Sequence, residues 1–105
     1  MSTQSAVYTR NDEGTETILR MHGNLDINTA PQLTAVIDEL VAQKTAKVTV
    51  NLEDLDLIDS SGVAAIVAIY KRVRAAGGQV SVTGARDQPL AIFKLLRMDR
   101  VFQLS

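Results

Sequence analysis

Apolar residues recur along this chain with two periods, and each period predicts a different kind of element. The most regular stripe has helical spacing and consists of Leu33, Val36, Ile37, Leu40 and Val41. It predicts an amphipathic helix with one face on a core. Thr29 and Gln32 have the residue types of a reciprocal cap at the start of that helix. Pro31 suits its first turn, and Lys44 near its end would complement the helix dipole.

Alternation of apolar and polar residues predicts strands before and after this helix. The turn-like Asn11-Asp12-Glu13-Gly14 separates the first two strands and predicts an antiparallel hairpin at a sheet edge. Apolar character continues after the third strand, through Leu55, Leu57 and Ile58. The predicted strands are Val7–Arg10, Glu16–His22, Lys47–Leu52, Gln79–Thr83 and, as a terminal strand or extended tail, Arg100–Leu104.

Two further helices are predicted. Val63–Tyr70 is apolar nearly all round, but its three alanines and the basic exit that follows favour a buried helix from about Ser61 to Gly77-Gly78. Pro89–Leu96 predicts a third helix.

Single helices between strands imply parallel pairing through right-handed crossovers. The predicted fold class is α/β: one mixed sheet with a parallel centre, an antiparallel N-terminal edge hairpin, and helices packed on the sheet. The expected core includes Val36, Ile37, Leu40, Val50, Leu52, Ile66, Val67, Val80, Val82 and Phe93.

Length and composition narrow the class of protein. The 105 residues suit one domain, with residues 1–5 expected to fray. The net charge of −1 with interspersed signs predicts neither a nucleic-acid nor a membrane partner. Cysteine is absent, which suits a reducing compartment. The N-terminus lacks the features of a secretory signal, and Val63–Tyr70 is far shorter than the ~20 residues of a membrane span. We therefore expect a soluble, cytoplasmic domain.

Few residues are suited to catalysis. His22 is the only histidine, and a metal site of transition-metal type usually needs three or four clustered ligands, so we expect a plain strand histidine and no metal. Ser60 is not inside a Gly-x-Ser-x-Gly elbow, which argues against a hydrolase. Gly77-Gly78 lacks the spacing of a phosphate-binding loop. We expect the basic residues Lys71, Arg72 and Arg74 to be a solvated helix end.

The segment Asp59-Ser60-Ser61-Gly62 admits two interpretations. Aspartate and serine are good N-caps, so a strand-to-helix turn uses them whatever the function. However, open α/β sheets place sites at the carboxyl ends of strands, and a phosphate at a helix start meets free amides and the positive end of the dipole. A serine here could be phosphorylated without disturbing the fold.

Several segments together point to one family. They are Gly23-Asn24-Leu25-Asp26 with Thr29-Ala30-Pro31, Val48–Leu55, Ile58–Val63, Gly77-Gly78 and Met98–Phe102. In order and spacing they resemble the STAS family, the sulfate transporter and anti-sigma factor antagonist domains, over nearly the whole chain. The stand-alone length resembles the bacterial antagonists rather than a transporter's tail domain. Leu96-Arg97-Met98 stands where the family commonly has Thr-Gly-Leu, so we expect a helical or differently bent turn there.

The resemblance implies partner switching. The unmodified antagonist binds a kinase-type anti-sigma factor and frees the sigma factor. The kinase then uses ATP to phosphorylate Ser60 and release the antagonist, and a metal-dependent serine phosphatase resets it. The antagonist itself would be no enzyme and hold no cofactor, and would be a monomer or weak dimer. The implied partner-binding residues are Asp26, Leu25, Asp59, Ser61 and Gly62.

Other functions fit the same pattern. The domain could be a stressosome-like scaffold subunit or a small subunit bound to a transporter ATPase, and the size of its assembly would separate these from an antagonist. A phosphoryl-accepting receiver domain needs an acidic cluster after the first strand and a lysine near the penultimate one. The segment Gly84-Ala85-Arg86 after Val80–Thr83 does not provide that lysine.

Overall fold

Four strands and three helices form the part of the chain that the structure, a computed structural model, describes. That part is residues 6–104, so the expected fraying of residues 1–5 lies outside it. In chain order the elements are β1 (Tyr8–Glu13), β2 (Glu16–Leu25), α1 (Gln32–Ala42), β3 (Lys47–Ile58), α2 (Ser60–Ala75), β4 (Gln79–Thr83) and α3 (Asp87–Leu95).

The sheet has the strand order β1-β2-β3-β4. β1 is antiparallel to β2, whereas β2, β3 and β4 are parallel to one another, which confirms the predicted mixed sheet. The hairpin turn is tighter than predicted, because Asn11, Asp12 and Glu13 pair with β2 as part of β1. Gly14, with φ of 62°, begins the two-residue turn, where a twisted hairpin favours a positive φ.

The β1 strand is fastened to α1 by Arg10. Its guanidinium donates to Glu39 at 3.0 Å and to Gln43 at 2.6 Å, and also to Asp12 at 2.9 Å. The hydrogen bonds from Arg10 and from Thr17 hold the pKa of the Asp12 carboxyl below its usual value. These polar contacts lie at the rim of the sheet.

The core lies between one face of the sheet and the helices. Eight of the ten expected core residues are buried, including Leu40, Ile66 and Phe93. Val67 and Val80 are only half-buried, contrary to the prediction. Val67 lies beside the buried stripe of α2, and Val80 is on an edge strand that has a neighbour on one side only.

Strand β3 is twice as long as predicted. Two register shifts interrupt the alternation of apolar and polar residues, so the sequence pattern does not indicate its second half as strand. Relative to β2, an extra β3 residue occurs between the partners of Arg20 and His22 and another between those of Gly23 and Asn24. The buried residues of β3 therefore change from every second position to every third, at Leu52, Leu55 and Ile58. Bulges of this kind redirect side chains near functional sites.

The predicted reciprocal cap of α1 is wrong. The N-cap position is Pro31, with no side-chain cap hydrogen bond. The Thr29 hydroxyl instead donates to the carbonyl of Asn24 at 2.7 Å and accepts from the amide of Asp26 at 3.0 Å. Gln32 accepts from the amide of Val7 at 2.8 Å. Thr29 therefore binds backbone groups of Asn24 and Asp26, and Gln32 binds the backbone just before β1.

The terminal strand or extended tail predicted for Arg100–Leu104 is also wrong. These residues form successive turns, in which the amide of Phe102 donates to Met98 at 3.1 Å and that of Leu104 to Asp99 at 2.7 Å. The Phe102 ring is buried and meets the rings of Tyr70 and Phe93 edge-on, at centroid distances of 5.3 and 5.8 Å. Burial of this ring anchors the segment, and local hydrogen bonds satisfy its backbone.

At the turn before this segment, Arg97 stands where the resemblance places glycine. Arg97 has φ of 59°, a left-handed conformation that usually favours glycine, and it follows Leu96, the C-cap of α3. The amide of Met98 closes the helix end by donating to the carbonyl of Phe93 at 2.8 Å. An arginine therefore stands in a glycine-type helix ending.

Candidate functional site

The carboxyl ends of β2 and β3 lie side by side, and the candidate site is built on them. Leu25 and Ile58 form the last residue pair of the two strands. The amide of Asp59 donates to the carbonyl of Leu25 at 3.2 Å, which holds the two chain segments together beyond that pair. Asp26 and Asp59 follow directly, so two carboxylates leave adjacent strands at the same sheet edge.

Asp59 connects β3 to α2 as an N-cap. Its backbone is extended, with φ of −114°, and its Oδ1 accepts from the amide of Gly62 at 2.9 Å. Ser60 is therefore the first residue of α2. Its side chain is exposed, and its hydroxyl forms no hydrogen bond within the described residues, whereas Ser61 is half-buried. The capping interpretation of Asp59 is correct, and it leaves the Ser60 hydroxyl available to a partner.

Removal of the Asp59 cap should destabilise the domain by a small, measurable amount. We expect Asp59→Ala to lower the free energy of unfolding by about 1 kcal/mol, because the Gly62 amide loses its acceptor. Asp59→Ser should lose only a few tenths, since a serine hydroxyl can cap the same amide. Urea unfolding of both variants measures the difference; equal losses would mean that the cap contributes nothing.

Asp26 organises the loop between β2 and α1. Its Oδ1 accepts from the amide of Asn28 at 2.9 Å, from the amide of Thr29 at 3.2 Å and from the Thr29 hydroxyl at 3.3 Å. The carboxylate thus has a turn-forming role. Its Oδ2 atom takes part in none of these bonds, so one carboxylate oxygen of a half-buried side chain remains for a partner.

A groove of about 240 Å³ separates the Asp26 loop from the end of β3 and the start of α3. It is lined by Asn24, Leu25, Asp26, Leu57, Ile58, Asp59 and Gln88. Two large apolar side chains are exposed beside it: Ile27 is 70% exposed and Leu57 is 49% exposed. Exposed apolar groups next to polar ones are typical of protein-binding surfaces.

Two of the predicted partner-binding residues are buried. The Leu25 side chain is 0% exposed and belongs to the core. Gly62 is buried, and a Cβ at this position would lie 2.3 Å from the Leu25 carbonyl oxygen. The residue has to be glycine because α2 begins in close contact with the end of β2. The accessible predicted residues are Asp26, Asp59, Ser60 and Ser61.

Three residues at this site were not predicted from the sequence: Ile27, Leu57 and Gln88. Ile27 follows the motif residue Asp26 directly, and its position in a polar loop was a usable signal. Leu57 is exposed because of the second register shift in β3, which no sequence period indicates. His22 lies half-buried in β2, and the described residues contain no group of three or more histidine or acidic side chains that could hold a metal ion.

The mixed sheet with its parallel strands β2, β3 and β4 and three helices makes the chain a small α/β domain. Comparison with known proteins identifies its family. The sequence profile of the STAS domain matches residues 6–105. The chain therefore belongs to the STAS domain family.

Individual relatives agree with this assignment. The anti-sigma F factor antagonist of Paenibacillus polymyxa is 28% identical over 88 residues, which are 83% of this chain and 73% of that protein. An anti-sigma factor antagonist from Mycobacterium paratuberculosis has the same fold, with a TM-score of 0.80 at 21% identity, over 93% of this chain and 83% of that one.

A further similar structure is the Bacillus cell fate determinant SpoIIAA in its phosphorylated form. It aligns with a TM-score of 0.71 at 20% identity, over 90% of this chain and 98% of that one. Among the described residues, no helix has the length and apolar character needed to cross a membrane.

Proposed function

We propose that the chain is an anti-sigma factor antagonist that works by partner switching. In its unmodified form it binds a kinase-type anti-sigma factor in the cytoplasm. That kinase phosphorylates Ser60 with its own ATP and releases the chain, and a metal-dependent serine phosphatase restores the unmodified form. The chain catalyses nothing itself and acts as a monomer or weak dimer.

The observation that carries this proposal is the position of Ser60. Its side chain is exposed at the first residue of α2, directly after Asp59, which lines the same groove as Asp26. The amides of the first turn of a helix and the positive end of its dipole favour an added phosphate. The curated relative from Paenibacillus polymyxa, named an anti-sigma F factor antagonist, supplies the class of partner.

SpoIIAA, whose structure is known in an unphosphorylated and a phosphorylated form, supports the idea that a phosphate leaves such a fold intact. This chain aligns with the unphosphorylated form at a TM-score of 0.70 and with the phosphorylated form at 0.71. The fold is therefore shared equally with both states of that protein. A phosphate on Ser60 would then act on the interface and not on the folding of the domain.

The groove suits a partner with an apolar centre and a polar rim, with a basic group opposite Asp26. Leu57 in the lining and Ile27, the residue after Asp26, offer exposed apolar area, and Asp26 and Asp59 supply negative charge. An interface with an apolar centre and polar surroundings is the usual arrangement for specific protein recognition.

Affinity capture tests the proposal directly. The unmodified chain, used as bait in a lysate of its native host, should retain a protein with the sequence features of a serine kinase, and mass spectrometry should identify it. Bait that carries Ser60→Asp should retain much less of the same protein. Equal recovery with both baits, or no kinase with either, would contradict the proposal.

Asp26 should contribute charge to the kinase contact in addition to its turn role. Asp26→Asn retains an oxygen for the turn hydrogen bonds but removes the charge, so we expect about a tenfold loss of kinase affinity with a nearly unchanged melting temperature. Asp26→Ala removes both and should also lower the melting temperature. Isothermal titration and thermal unfolding of the two variants separate the roles; unchanged affinity in Asp26→Asn would leave only the turn role.

A scaffold role remains the second candidate, and one observation favours it. Leu95 at the end of α3 is 76% exposed, and Leu96 and Val101 are each nearly half exposed. These residues lie at and after the C-terminal end of α3, whereas Gln88 lines the groove from its N-terminal end. They could therefore bind another subunit. Light scattering after gel filtration decides between the two, because a scaffold subunit should elute as a large assembly.

A further inference from the structure

We propose that Gln88 is a positioning residue for Ser60: it replaces a missing strand beside the end of β3 and thereby fixes the segment that presents the serine. This inference rests on the proposed function. Gln88 is the second residue of α3, and this helix lies outside the segment Asp59-Ser60-Ser61-Gly62.

The end of β3 projects beyond its neighbour β4. Pairing with β4 stops at Asn51, whereas β3 continues to Ile58. In a strand, the N–H and C=O of one residue point to the same side, and those of the next residue point to the other side. The backbone groups of Ile58 face the side where β4 has ended, so they need a partner from elsewhere.

Gln88 supplies both partners with one planar amide. Its Oε1 accepts from the amide of Ile58 at 2.9 Å, and its Nε2 donates to the carbonyl of Ile58 at 2.9 Å. A primary amide with one acceptor and one donor reproduces the two hydrogen bonds that a neighbouring strand would make. Arg86 has a related role earlier in the overhang, since its Nε donates to the Glu53 carbonyl at 2.8 Å.

The opposite side of the same segment is fixed by β2. The amide of Asp59, the next residue, donates to the carbonyl of Leu25 at 3.2 Å. The backbone just before Ser60 is thus held from both sides, by α3 through Gln88 and by β2 through Leu25. Asp59 then caps α2, so the position of the Ser60 hydroxyl depends on a short, fully hydrogen-bonded segment.

Transfer of a phosphoryl group requires the attacking hydroxyl to be held in line with the phosphorus, and small displacements slow such steps strongly. Loss of the Gln88 clamp should therefore reduce the rate of phosphorylation. Gln88 also lines the groove, but Asp26, Ile27 and Leu57 remain as contact residues in its variants. The effect should fall on kcat and not on KM.

The experiment compares Gln88→Met, which keeps a similar length but cannot form the hydrogen bonds, with Gln88→Glu, which can accept from the Ile58 amide but cannot donate to its carbonyl. Lys94→Met, on an exposed position of the same helix, is the matched control. Amide hydrogen exchange by NMR follows Ile58 in each protein. Steady-state phosphorylation uses ATP and the kinase that copurifies with the unmodified chain.

We expect Gln88→Met to speed exchange at the Ile58 amide about tenfold and to lower kcat about tenfold, with KM within about twofold. Gln88→Glu should lower kcat as well, and Lys94→Met should match the wild type. Faster exchange at Ile58 with an unchanged kcat would overturn the proposal, as would unchanged exchange. Absence of phosphate on Ser60 in the wild type would instead refute the proposed function, and the inference with it.

Discussion

Phosphate on Ser60 should lower the affinity of the chain for its kinase by about three decades without unfolding the domain. A phosphoserine carries about −1.5 to −2 charges at neutral pH. The repulsion that lowers affinity is between the phosphate and an acidic group of the bound kinase. One such pair forced to ~4 Å at an effective dielectric near 20 costs about 4 kcal/mol, and each 1.4 kcal/mol is a factor of about ten. Asp56 and Asp59 are the nearest charged residues in sequence and are both acidic, so they offer the phosphate no compensation.

Three variants measure this effect by titration against the kinase. Ser60→Ala should bind as tightly as the unmodified chain, and Ser60→Asp should bind weakly. Ser81→Asp is the matched control, since it adds the same charge at an exposed serine of β4. If Ser60→Asp and Ser81→Asp bind equally well, local repulsion at Ser60 is not the cause of release.

Substitution of Gly62 should have the largest effect on stability. A Cβ at this position would lie 2.3 Å from the carbonyl oxygen of Leu25 and 2.6 Å from Cγ1 of Ile58. The backbone oxygen cannot move aside without breaking its hydrogen bond from Asp59. We therefore expect Gly62→Ala to cost about 3 kcal/mol, although alanine is the better helix former.

For a domain of this size, that cost corresponds to a fall in melting temperature of roughly 15 °C. Ala64→Gly, at an exposed position of the same helix, is the control and should cost only about 1 kcal/mol through helix propensity. Thermal unfolding of the two variants gives the comparison. A smaller loss for Gly62→Ala than for Ala64→Gly would show that α2 can move away from β2 at little cost.

The elements with a strong local signal were predicted well. The stripe of α1 has all of its members from Leu33 to Leu40 buried, and β4 has the predicted bounds, Gln79–Thr83. Both depend on side-chain periodicity, which is a property of the sequence alone. The part of β3 after Leu52 was not predicted as strand, because its bulges break the alternation of apolar and polar residues. Tertiary contacts decide where such bulges occur.

The same contrast holds at the site. The junction of β3 and α2 at Asp59 and Ser60 was predicted because capping residues mark it in the sequence. The packing roles of Leu25 and Gly62 were not, since a motif does not distinguish a residue that contacts a partner from one that allows two elements to approach. Gln88 carries no local signal at all: its role exists only because β4 ends before β3 does.

The location of the phosphate is the most direct test of partner switching through Ser60. The wild type, Ser60→Ala and Ser61→Ala are incubated with ATP and the kinase captured by the unmodified chain, and the modified residue is mapped by mass spectrometry. We expect phosphate on Ser60 in the wild type, none in Ser60→Ala, and phosphate still present in Ser61→Ala. Phosphate retained in Ser60→Ala, or lost in Ser61→Ala alone, would contradict this assignment.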